Sequence, residues 1–194
     1  RNTPFDFYRS VIDDSHLFQG ITDATMTHGE GWDFIQVGKY LERADSTSRV
    51  LDIKYHILLP TGEPVGGNVD LTQWMAVLRS CSAVEAYLKV RVGHISASEI
   101  AQFLILHPSF PRSIRFCVDQ MDRAIHRISG SSVFGFHNDP ERLSGMLRAQ
   151  IAYATIDSIF LCGLHEYLDN TQLRLTEISN ALVKTYCEWL DEPK

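Results

Sequence analysis

Long hydrophobic runs are missing from this chain of 194 residues. The longest, Ile159-Phe160-Leu161-Cys162-Gly163-Leu164, falls far short of the roughly 20 apolar residues that cross a bilayer, so no membrane span is expected. Arg1-Asn2-Thr3-Pro4 leads into mixed polar sequence, not into the apolar centre of a secretory signal. The initiator methionine is absent as well, which points to a processed, engineered or truncated start. Cysteine is sparse: Cys81, Cys117, Cys162 and Cys187 are widely spaced, with no Cys-x-x-Cys pair. That spacing excludes zinc ribbons and thioredoxin-like redox motifs, and it fits a reduced cytoplasmic setting with the thiols as small core residues. Positive charge is short too. Lys and Arg number 18 against 24 Asp and Glu, a formal net charge of −6, and no basic cluster is available to neutralise nucleic-acid phosphates or an anionic membrane surface. With 12 Gly and 7 Pro, collagen-like and linker-dominated architectures are excluded. Apolar residues at 44% and charged residues at 22% are ordinary for a folded domain and exclude disorder. Period-2 alternation, the mark of half-buried strands, is not found. The phosphate-binding loop and dinucleotide fingerprints are also missing, and no cofactor is implied.

What is present is helical spacing of apolar residues. The first helix begins near Thr3, with Pro4 at its first position, where a missing N–H costs nothing, and runs to about Met26. Thr27-His28-Gly29-Glu30-Gly31 turns the chain, and Thr27 and Glu30 have capping-box spacing. A second helix spans about Trp32 to Leu58. Pro60 to Asn68 reads as a loop, and Asp70 as the N-cap of a third helix through Lys89. Ser96-x-x-Glu99 opens a short helix to Leu106, and Pro111 starts another through Ile128. Asp139-Pro140 begins a pattern of about fifty residues. One helix of that length would span about 75 Å, so a break near Cys162-Gly163 and an antiparallel return are expected. The sum is an all-α fold, an antiparallel bundle of about seven helices.

The second helix carries Gly38-Lys39-Tyr40-Leu41-Glu42-Arg43-Ala44-Asp45-Ser46-Thr47-Ser48-Arg49. At 100° per residue, Val37, Leu41, Ala44, Ser48 and Leu51 form the core stripe. Gly38, Glu42, Asp45, Arg49 and Asp52 form a charged stripe that borders it. Glu42 and Arg43 point about 100° apart and cannot simply pair with each other, whereas Asp45 and Arg49, four apart, can. Glu42 at a core edge therefore calls for a cation from another helix, because desolvating a lone carboxylate is costly. Three readings of it stand open: an interhelical ion pair that fixes register, a ligand-binding or catalytic carboxylate, and a solvated face. Gly38, one turn earlier, leaves room for a backbone or a ligand to come close.

Val37 to Asp52, with this motif at its centre, resembles the signature of the bacterial alpha-E family, an all-helical domain named for a Glu-Arg motif. Ser15 to Trp32, Phe103 to Ile114 and Gly163 to Asn170 resemble it too, so the likeness covers nearly the whole chain. Members carry the Gly-x-x-x-Glu-Arg-Ala type of motif twice. One copy is present here, so the resemblance is to the C-terminal two-thirds of a member, and residues 1–194 read as a single domain without the N-terminal copy. A site built between two copies would then be incomplete, and some surface abnormally exposed. The resemblance implies association with circularly permuted ATP-grasp ligases and transglutaminase-like peptidases, hence with making or processing peptide-like amide bonds.

Two functional readings follow. In the first, the chain is a cytoplasmic interaction domain serving such a ligase or peptidase. In the second it is an enzyme or small-molecule-binding module whose polar site comprises Glu42, Arg43, Asp45 and Arg49. Glu42 would there act as general base or amine anchor, and Arg43 or Arg49 as carboxylate clamp. A homo-oligomer that covers the missing half is a further expectation. His28 and Glu30 form a secondary candidate, because N–H groups at a helix start can hold an anion, although Glu30 already supplies negative charge there. Metal binding is not expected. Asp13, His16 and Asp23 share a helix face, but a di-metal bundle needs paired Glu-x-x-His motifs, and none occurs. Asp122 and His126 read as an ordinary surface pair, and Glu141-Arg142 as a chance dipeptide. Trp32, Trp74 and Trp189 read as core or interface residues.

Overall fold

The computed structural model describes residues 3–57, 67–90, 95–132 and 135–188, without side-chain detail at 55–57. Nine helices and no strand occur among the described residues: α1 (Pro4–Thr25), α2 (Glu30–Ile57), α3 (Asn68–Ser80), α4 (Val84–Val90), α5 (Ala97–Leu106), α6 (Ile114–Ser129), α7 (Asp139–Tyr153), α8 (Ile156–Cys162) and α9 (Leu164–Tyr186). The loop expected at Pro60–Asn68 lies largely outside the described residues, as does Trp189.

The caps show why the helices start where they do. Thr3 and Asp6 form a reciprocal capping box ahead of Pro4, so two otherwise unpaired groups at the helix start are satisfied. The side chains of Ser96, Ser113, Asn138 and Thr155 accept from backbone N–H groups one turn on. Several expectations are corrected at this level. Thr27 and Glu30 form no capping box among the described residues; α2 starts at Glu30, and the Asp33 N–H closes on the Gly29 carbonyl. The N-cap of α7 is Asn138, not Asp139. The N-cap of α3 is Gly67, and Asp70 is instead buried inside the first turn. Nine helices replace about seven because two expected helices are each broken once more. One break falls at Cys81-Ser82, where Ser82 takes a left-handed φ of 51° and the Ala83 N–H closes onto the Leu78 carbonyl at 2.8 Å. The other falls at Ala154-Thr155. The foreseen break at Gly163 is present, with φ 101°, a conformation that a side chain disfavours.

Four long helices form a closed ring: α2 packs on α6 and α9, and α7 packs on the same two. Every neighbouring pair is antiparallel. Asp33 at the start of α2 meets Arg127 at the end of α6, while Thr47, further along α2, meets Arg112 just before α6. Phe34 of α2 touches Tyr186 at the end of α9, and Asp52 meets His165 at its start. Asn138 at the head of α7 reaches Tyr186 as well. The ring closes over Ala44, Leu51, Ile114, Met121, Ile125, Leu147, Leu168 and Ile178, all buried, and burying each large aliphatic side chain contributes about 1.5–3 kcal/mol. The short helices α3, α4, α5 and α8 pack together against one end of this bundle.

Two buried carboxylates inside the bundle are paired. Asp122, fully buried, accepts from Ser144 Oγ at 2.7 Å and meets Arg148 at 3.1 Å, with His126, 4% exposed, nearby at 3.7 Å. This corrects the reading of Asp122 and His126 as a surface pair. Glu141, also buried, accepts from the His137 N–H and from Asn138 Nδ2, so it organises the α6–α7 end and is not an incidental residue. Burial works to raise its pKa, but hydrogen bonds from Ser129, His137 and Ser131 outweigh that and lower it. Two of the four thiols, Cys81 and Cys117, are core residues as expected, whereas Cys162 and Cys187 are exposed.

α1 stands apart. Residues 3–18 are all exposed, and Thr22 is its one buried residue. Phe5, Phe7, Tyr8, Val11, Ile12, Leu17, Phe18 and Ile21 are each at least half exposed. Its C-terminal half lies antiparallel along α2, since Arg43 reaches Gln19.

Candidate functional site

The α1–α2 hairpin leaves a cleft of about 300 Å³ between its arms. Local sequence explains the opening. Where the two arms face each other, the residues are Ser15, Gln19, Thr22, Lys39, Glu42 and Arg43. These side chains cannot close a dry interface, so the helices stay apart. Phe18 and Ile35 add two apolar patches to the wall. A third side comes from Arg112, in the turn between α5 and α6. That turn is anchored to α2, because Thr47 Oγ1 donates to the Arg112 carbonyl at 2.8 Å. Ser113, buried next to it, donates to the His107 carbonyl and caps α6.

The structure separates the members of the Glu-Arg stretch. Arg43 is half-buried; its Nη2 donates to Gln19 Oε1 at 2.7 Å, and its guanidinium lies 5.8 Å from the Tyr40 ring centre. Lys39 Nζ lies 4.9 Å from the same ring. Burial is the main influence on Lys39 and pulls its pKa down; the Asp23 carboxylate works against that shift, and Arg43 adds to it. Burial also raises Tyr40. Glu42 is exposed at the rim of the cleft and, among the described residues, makes no hydrogen bond or ion pair. The expected core-edge ion pair to another helix is therefore corrected. α2 is rotated in the ring so that its charged stripe faces solvent, and only Val37, Ala44, Ser48 and Leu51 of the apolar stripe turn fully inward. Gly38 likewise faces open space, with no atom of the described residues within 4 Å of a Cβ placed there, so none of their backbone approaches it.

Asp45 and Arg49 do pair with each other as the spacing predicts, at 2.7 Å. They line a different, shallower groove between α2 and α9, which also reaches Glu42. Glu42 thus stands on the ridge between the two depressions, and the four residues do not form one pocket. His28 and Glu30 lie at the hairpin turn. The His28 ring stacks on Trp32 at 4.3 Å, and its Nε2 lies 3.2 Å from the Asp23 carbonyl oxygen. Both residues are exposed and neither lines the cleft.

Of the residues that line the cleft, sequence reasoning nominated only Glu42 and Arg43, and three that it missed bear most on the chemistry. Gln36 is 3% exposed, and its Nε2 has no hydrogen-bond partner among the described residues. Lys39 and Arg112 complete a cationic wall with Arg43. Lys39 lies inside the motif, four residues before Arg43, and Gln36 seven before it, so both share a helix face with Arg43 and were findable from that spacing. Arg112 lies 69 positions from Arg43 in the chain, and only packing brings it near. The cleft is lined by the Ser15, Thr22 and Ser46 hydroxyls and the Lys39 amine, and by no cysteine among the described residues. Cys117, which lies under Arg43 and Arg112 electrostatically, is pushed up to about 12 by burial, the two cations only partly offsetting it, and a thiol so held is inert. Among the described residues no three His, Cys, Asp or Glu side chains converge as metal ligands, and no helix is long and apolar enough to cross a membrane.

Residues 1–187 match the family model for Alpha-E, described as "a predicted alpha-helical domain with a conserved ER motif". Neither a curated protein nor a solved structure matches the chain.

Proposed function

The chain belongs to the Alpha-E family, and from that premise we propose that it is a cytoplasmic accessory domain of a system that makes or processes peptide-like amide bonds. Its partner is an ATP-grasp-type ligase or a transglutaminase-like peptidase. The observation that carries this reading is the freedom of Glu42. The family is described by a conserved Glu-Arg motif, and among the described residues the carboxylate at Glu42 makes no hydrogen bond or ion pair. A Glu42 that served register alone would be held by a cation from another helix; here Arg43 is held by Gln19 while Glu42 is presented outward. The exposed apolar side chains of α1 support the same reading, because large apolar side chains left in water in such number mark interaction surfaces.

A second reading is favoured by the cleft itself. Arg43 and Glu42 both line it, so a small molecule held there would touch the motif directly. Asp45 and Arg49, paired to each other and turned toward α9, take no part in that version.

One substitution tests the proposal. Glu42→Gln is expected to leave thermal stability within about 0.5 kcal/mol of the parent, because an exposed unpaired carboxylate contributes little. The same substitution is expected to abolish binding to the ligase or peptidase in calorimetry and the chain's effect on amide-bond formation. A loss of several kcal/mol in stability would show a structural ion pair instead. No binding and no effect on ligation by the parent chain would sink the accessory reading.

A further inference from the structure

The α1–α2 cleft has the chemistry of a receptor for a zwitterion. Three cations, Lys39, Arg43 and Arg112, converge on it, and two carboxylates, Asp23 and Glu42, stand at its edge. No cation–carboxylate pair among these five lies within ion-pair distance in the described structure. Like charges gathered around a part-desolvated cavity repel one another more strongly than in bulk water, and Asp23 offsets that repulsion at Lys39 only from a distance, without an ion pair. The Gln36 amide adds a second deficit: it is almost wholly buried in the cleft wall and its nitrogen lacks an acceptor. A buried donor left unsatisfied costs about 1–3 kcal/mol, and native structures carry few of them.

We propose that this cleft binds the free carboxylate of an amino acid or short peptide. Arg43, Lys39 and Arg112 face the carboxylate, the Gln36 amide turns over about its terminal torsion to donate to it, and Glu42 or Asp23 takes the ammonium group. The inference rests on the ligand-facing reading of Glu42–Arg43 given above and names the chemical class that surface recognises. Three features select this class. Arg43 is a planar donor already oriented by Gln19, and pre-orientation suits it to a carboxylate. The two edge carboxylates oppose a compact dianion such as phosphate and favour a ligand that brings its own positive charge. Phe18 and Ile35 offer apolar wall to a side chain or methylene group, and a volume of about 300 Å³ is at the small end of ligand sites.

The test uses the whole chain and four probes in calorimetry: alanyl-alanine, its C-terminal amide, its N-acetyl derivative and inorganic phosphate. NMR shift mapping with each protein L-amino acid at millimolar concentration runs alongside. Alanyl-alanine or a free amino acid is expected to bind, with the amide at least about tenfold weaker and the acetylated form also weakened. Gln36→Leu separates ligand binding from structure. It removes an unsatisfied buried amide, so stability is expected to hold or rise while affinity falls about tenfold. Arg43→Gln is expected to lose binding outright. The proposal is overturned if no probe shifts the resonances of Lys39, Arg43 or Gln36. It is equally overturned if phosphate binds as well as the zwitterions, or if Gln36→Leu and Arg43→Gln bind unchanged. Zwitterion binding without any response of a ligase or peptidase would leave this inference standing and remove only the accessory function; the opposite result would do the reverse.

Discussion

His165 shows how one contact can reset a side chain at this protein's surface. Its Nδ1 lies 2.7 Å from Asp52 Oδ1, which joins the start of α9 to α2. The hydrogen bond to Asp52 is the main reason that its pKa is raised above the ordinary 6.5; residual desolvation opposes the shift, and the charges of Asp52, Glu166 and Asp169 reinforce it. Because the folded value is the higher one, the contact contributes fully below pH 6.5 and is lost as pH rises through the raised value. An NMR titration is expected to place the His165 midpoint above 6.5, and Asp52→Asn to bring it down. An unshifted His165 in the parent chain would contradict the geometry. Glu42 is the contrasting case. A helical wheel puts it on the charged stripe that borders the core, but the wheel has no knowledge of how far α2 is rotated between α6 and α9. That rotation decides whether the carboxylate needs a partner, and here it does not.

At the scale of elements, α2 and α3 are joined by a buried ion pair. Lys54 Nζ lies 2.7 Å from Asp70 Oδ1, with side chains 2% and 3% exposed, and a second bond of 2.8 Å goes to Gln73 Oε1. Sequence reading placed Asp70 at a helix cap, the commonest use of an aspartate before an apolar run. Its actual role needs a cation 16 residues away, which no local pattern announces. Removing one partner strands the other charge in the interior. Asp70→Asn is therefore expected to cost about 3–5 kcal/mol in denaturant unfolding, and Lys54→Met with Asp70→Leu to recover most of it. A cost below 1 kcal/mol for the single substitution would mean that the pair is not desolvated in solution. The unforeseen break after α3 has a similar origin. Cys81-Ser82 contains neither Gly nor Pro, so no local signal marks it; the chain turns there because α4 must lay Tyr87, fully buried, against Phe103 of α5. Gly163, by contrast, was readable, because the φ of 101° is one that glycine alone takes without strain.

Taken whole, the molecule is a four-helix ring with a group of short helices at one end and α1 laid outside. α1 buries only Thr22 fully, so it contributes little to the ring's stability. Deleting residues 1–28 is expected to leave cooperative unfolding and to lower Tm by less than about 4 °C. The same deletion is expected to abolish zwitterion binding, because Ser15, Gln19, Thr22 and Asp23 would leave the cleft with one wall. Loss of folding in the deleted chain would show that α1 is part of the core.

The sequence by itself determined the all-α class, the main helix starts, the inward stripe of α2, the Asp45–Arg49 pair and the family. All of these follow from local periodicity, from caps within one turn, or from motif likeness, and need no knowledge of neighbours. Tertiary structure alone decided the rotation of α2, the burial of Asp70, Asp122 and Glu141, and the meeting of Arg112 with Lys39 and Arg43. The physical reason is that desolvation and pairing of a charge depend on what packs over it, and that packing comes from helices far apart in the chain.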